Sequence, residues 1–96
     1  MNEPLPELQD AVIDVATLQA LVADLLEHAA AVEVRTKGGS RTRADQGTIG
    51  LEGAVAALLA GETHGVQIRY RFEDTEWSDT LIRVADGVRL VRTRML

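Results

Sequence analysis

The sequence predicts a two-layer α+β domain, and three observations lead there. Val66, Ile68, Tyr70 and Phe72 occupy every second position, with Gln67, Arg69, Arg71 and Glu73 between them. A period of two describes a β-strand with one dry and one wet face. Leu18, Leu21, Val22, Leu25 and Leu26 recur at the spacing of an amphipathic helix. A chain of 96 residues makes one domain. Together these give the order α-β-α-β-β-β, with two helices on one face of a mostly antiparallel four-stranded sheet.

Residues 1–13 hold both prolines and read as a leader, with either a helical turn after Pro6 or an extended Ala11-Val12-Ile13 segment. The domain proper is expected over residues 14–96. The first helix is expected from Val15 to Ala30, with Asp14 or Thr17 accepting from the unpaired N–H groups of its first turn. Val32 and Val34 alternate with Glu33 and Arg35, which predicts a strand over Ala31–Lys37 at a sheet edge. A turn-rich basic loop follows from Gly38 to Gly47. A second helix is expected over Ile49–Ala60, ended by Gly61 in a left-handed conformation.

Three strands complete the chain, over Val66–Glu73, Glu76–Val84 and Val88–Thr93. A turn at Asp74-Thr75 sets Phe72 opposite Trp77, Tyr70 opposite Asp79 and Ile68 opposite Leu81. The next hairpin has two candidate registers. A two-residue Asp86-Gly87 turn sets Val84 opposite Arg89 and Ile82 opposite Val91, whereas a three-residue loop sets Val84 opposite Val88 and Ile82 opposite Leu90.

Composition narrows the function classes. The chain has no cysteine, which excludes a disulfide scaffold and thiolate chemistry. No basic n-region or apolar h-region opens it, and no apolar run approaches the ~20 residues of a spanning helix, so a soluble cytoplasmic protein is expected. The net charge of −5 is uneven: residues 1–34 carry seven acids and no Lys or Arg, whereas residues 35–96 carry ten basic residues and eight acids. That division either steers a partner or reflects acids that solvate a helix.

In either register Ile82 and Val84 project away from the helices, joined by an aliphatic such as Val91 and flanked by Arg69, Arg71 and in one register Arg89. The leader, a second copy or another protein is needed to cover this patch. The expected function is therefore that of a small non-enzymatic accessory protein of bacterial type. It acts through the outer face of its meander, as a homodimer or with a protein partner, through Arg69, Arg71, Ile82, Val84 and Val91.

The alternative is a small nucleic-acid or anion binder. Arg41 and Arg43 follow Gly38-Gly39-Ser40 as an anion-binding nest would require, but the P-loop spacing is absent. The meander arginines Arg69 and Arg71 fall on the opposite face from Tyr70 and Phe72, whereas sheet-based single-strand readers place aromatic and basic residues together.

Asp79 falls on the apolar face, as a structural partner of Tyr70, Trp77 or an Arg, or as an active-site carboxylate needing a cleft. No second group can be assigned to it, so no catalytic residue is named. His28 and His64 lack the spacing of a metal pair, and Ser40 and Ser78 lack the context of a nucleophile. No metal or cofactor is expected.

Overall fold

The computed structural model describes residues 8–37 and 50–95. The elements run β1 (Leu8–Ile13), α1 (Val15–His28), β2 (Ala30–Lys37), α2 (Gly50–Leu59), β3 (Gly65–Phe72), β4 (Thr75–Val84) and β5 (Gly87–Met95). They form two helices and one five-stranded antiparallel sheet in the order β1-β5-β4-β3-β2. The class is α+β, but the sheet has five strands where four were expected. The extra strand comes from residues assigned to the leader: β1 pairs with β5 and sets Ile13 opposite Val88 and Ala11 opposite Leu90. Its extended alternative was the correct one. The strand at 30–37 lies at the other edge.

Local chemistry sets the helix ends. Asp14 caps α1, its side chain accepting from the Thr17 N–H at 2.8 Å. Hydrogen bonding to the Thr17 side chain, and then to its N–H, holds the Asp14 carboxyl below its ordinary range. At the end of α2, Gly61 (φ +81°) allows its N–H to reach the Leu58 carbonyl and the Glu62 N–H to reach that of Ala57. This pair of bonds is a Schellman motif, which a residue with a Cβ enters only with strain.

Both hairpins turn earlier than the sequence reading placed them. The first loop is Glu73-Asp74, flanked by the pair Phe72–Thr75, with φ of +54° and +67°. Two positive φ values make a type I′ turn, whose twist matches the strands. Tyr70 therefore faces Trp77, and Ile68 faces Asp79. The second loop is Ala85-Asp86, flanked by Val84–Gly87. Neither expected register of that hairpin is present: Ile82 faces Arg89, and Thr80 faces Val91. Face membership follows parity, so moving both partners by an even count preserves it.

The core lies between the helices and the inner sheet face. Leu18, Val22 and Leu25 of α1 and Leu51, Val55 and Leu58 of α2 pack with Val66, Ile68, Tyr70, Trp77, Leu81, Val88 and Leu90. Leu26, expected on that stripe, is instead exposed. Among the described residues no helix is long and apolar enough to cross a membrane.

Candidate interaction face

The outer sheet face can be built row by row from the strand pairing. One row runs Val12, Arg89, Ile82, Gly65 and Lys37 from β1 to β2, and the next runs Asp10, Val91, Thr80, Gln67 and Arg35. Thr93, Ser78, Arg69 and Glu33 form a third, and Glu76 and Arg71 stand opposed beyond it. Both helices pack on the other face, and no described element lies over this one.

The named interface residues are thus on one face, but not all together. Ile82 and Val84 neighbour Val91 across β4 and β5, while Arg69 and Arg71 lie on β3, towards the opposite corner. Ile82 is 36% exposed, and Val84 and Val91 are half-buried. Val12, 56% exposed, joins them from β1. The sequence reading missed Val12 because it gave the leader no register. Its one signal was the placement of Val12 two positions after Asp10, between Ala11 and Ile13.

Charge on the face follows the strands. Arg89 makes a bidentate pair with Asp10, Nε donating to Oδ1 at 3.0 Å and Nη2 to Oδ2 at 2.7 Å. Its hydrogen bonds hold the Asp10 carboxyl below its ordinary range. The face carries Arg35, Lys37, Arg69, Arg71 and Arg89 against Asp10, Glu33 and Glu76. In contrast α1 and α2 carry Asp24, Glu27 and Glu52 and no Lys or Arg. Arg41 and Arg43, the anion-binding candidates, lie outside the described residues.

Asp79 is on the inner face and fully buried. Arg92, directly opposite on β5, donates from Nε to Oδ1 at 2.9 Å and from Nη2 to Oδ2 at 2.8 Å. The Tyr70 hydroxyl, 3.1 Å from each carboxylate oxygen, supplies a further donor. Burial and the neighbouring Asp79 charge push the Tyr70 phenol above its ordinary range. Arg92 is the partner that sequence reasoning did not find, since both registers it weighed put another residue opposite Asp79.

A groove of about 370 Å³ runs between α1 and α2, lined by residues including Gln19, Val22, Glu52 and Leu59. Asp79 does not line it. Among the described residues no cluster of three or more His, Asp or Glu could hold a metal ion. The six meander arginines are split between faces: Arg69, Arg71 and Arg89 outside, Arg83, Arg92 and Arg94 inside.

No protein-family model, curated protein or solved structure matches this chain.

Proposed function

We propose that the protein is a non-enzymatic cytoplasmic interaction module whose outer sheet face receives a second copy of the chain. The observation that carries this reading is the aliphatic group Val12, Ile82, Val84 and Val91, which no described element covers. Burying it contributes at about 25 cal/mol per Å² of apolar surface.

Size and charge favour a second copy as the occupant. Five strands about 4.8 Å apart and roughly 8 residues long make a face of the same order as the ~800 Å² each partner buries in a standard interface. A two-fold axis along β4 lays the β5–β1 half of one copy over the β3–β2 half of the other. Ile82 then meets its own counterpart, and Asp10 lies over the row that holds Arg35.

Sedimentation at micromolar concentration tests this. The expected result is self-association that Ile82→Asp weakens while the chain stays folded. A wild-type protein that is already a strict monomer removes the reading.

A second reading draws on the excess of cations on the same face: an anionic ligand such as an oligonucleotide, with Arg41 and Arg43 as further contacts. It predicts binding that weakens steeply with salt, and no binding at low salt ends it. The aromatic rings Tyr70 and Trp77 are buried on the inner face, so this ligand would be held through its phosphates without base stacking.

A further inference from the structure

We infer that β2 is a pairing edge, and that it joins β2 of a second copy antiparallel across a two-fold axis at Val34. This interface is separate from the outer-face contact, and each can fail without the other. It rests on the position of β2, the direction of its backbone groups and the order of its charges.

As an outermost strand, β2 has a described partner on one side only, β3. The Lys37 carbonyl turns towards β3, where it accepts from the His64 N–H at 2.9 Å and the Thr63 hydroxyl at 2.9 Å. Backbone groups alternate in direction along a strand. Val34 and Thr36, out of phase with Lys37, therefore direct N–H and C=O to the open edge. A two-fold axis at Val34 makes a hydrogen-bonded pair of Val34 with itself, flanked by pairs of the closer, non-hydrogen-bonded kind.

Those flanking pairs are charged and complementary. Pairing about Val34 sets Glu33 opposite Arg35 of the partner subunit, and Arg35 opposite Glu33 of the partner subunit. Charged residues on an edge ordinarily guard it against other strands. Here their signs guard against most registers and favour one, because opposite charges directly across a pair attract and like charges repel.

The other edge lacks this order. Self-pairing of β1 about Ala11 sets Asp10 opposite Val12 and Gln9 opposite Ile13, with no ion pair formed. A β1-to-β2 contact would be heterologous and would build rings or open filaments in place of a two-fold dimer. At its start β2 is closed to regular pairing by the bulge between Ala30 and Glu33, where Ala31 has φ +54°. The usable stretch is therefore Glu33–Lys37.

Helix α2 packs over β2. Glu52, Ala56 and Leu59 line the groove towards α1. By helical periodicity the opposite flank, towards the β2 edge, carries Gly50, Gly53 and Ala57. Such short side chains let α2 of a second copy lie alongside at the ~8–10 Å of packed helices.

Charge exchange tests the pairing, with Ile82→Asp present in every sample to remove the face-to-face contact. The parent is expected to form a dimer at low salt. Glu33→Arg sets Arg against Arg and Arg35→Glu sets Glu against Glu, so each alone is expected to weaken association about tenfold or more. An equimolar mixture of the two variants regains both attractive pairs and forms a heterodimer by native mass spectrometry. The doubly exchanged chain regains the homodimer. A monomeric parent, single variants as dimeric as the parent, a mixture that stays monomeric or growth into filaments would each overturn the proposal. Wild-type self-association lost on Ile82→Asp alone would leave the outer-face reading standing and remove this one.

Discussion

Arg92 meets Asp79 across β4 and β5 through two parallel hydrogen bonds of 2.9 and 2.8 Å, with the carboxylate sealed from solvent and the guanidinium partly open to it. An Arg fork matches a carboxylate in this bidentate form better than a Lys point charge does. With the Tyr70 hydroxyl added, both carboxylate oxygens have donors, and no buried side-chain N or O atom among the described residues lacks a partner. The geometry assigns Asp79 to holding the inner face together.

Removing one member of that pair leaves a buried charge without compensation. Arg92→Met is therefore expected to destabilise the fold by about 3 kcal/mol, measured by urea unfolding. Adding Asp79→Leu removes the stranded charge and is expected to recover about half of the loss or more. A double variant no more stable than Arg92→Met would show that the cluster does more than satisfy itself.

Tyr70 is the single tyrosine, so phenolate absorbance in the ultraviolet reports on it alone. Its raised pKa means that the folded state favours the protonated phenol. The resulting stability is present below the ordinary tyrosine value of about 10 and declines as pH rises above it. Folded protein is expected to show no phenolate signal near that pH, and the signal should appear together with alkaline unfolding. Tyr70→Phe should remove this contribution to the alkaline transition.

The Glu73-Asp74 turn holds two side chains at positive φ. Asn and Gly enter that region with less strain. Glu73→Asn with Asp74→Gly is expected to stabilise the protein by about 1 kcal/mol, read as a rise of roughly 4–8 °C in Tm.

Gly87 is held at φ +148°, and a Cβ there would run into the Ile13 carbonyl oxygen. Both the backbone conformation and the close approach of β1 require glycine. Gly87→Ala is expected to cost about 2 kcal/mol and to speed amide exchange in β1 and the adjoining end of β5 more than in β3. Uniform acceleration over the whole sheet would argue that β1 is not a separately opening edge.

Much of the layered plan could be read from local periodicity. The alternation through Val66–Phe72 and the helical spacing from Leu18 to Leu25 identified the inner faces, and Asp14 and Gly61 marked helix ends through their own chemistry. The strand β1 was much less legible. It is short, carries Gln9, Asp10 and Ala11 in place of a branched run, and gains its apolar contacts from β5, far along the chain. The outer location of Ile82 and Val84 followed from parity in either register, that of Val91 in one register only, whereas the contribution of Val12 required β1 to be placed.

Which residues of one strand share a side was thus inherent in the chain, because side chains alternate with a period of two. Who stands opposite whom was not. Asp79 could reach Arg92 only after the second loop closed at Ala85-Asp86, and Asp10 could reach Arg89 only once β1 had docked. Those choices depend on turn geometry and on contacts between distant segments, whose combined free energy no local run of residues contains.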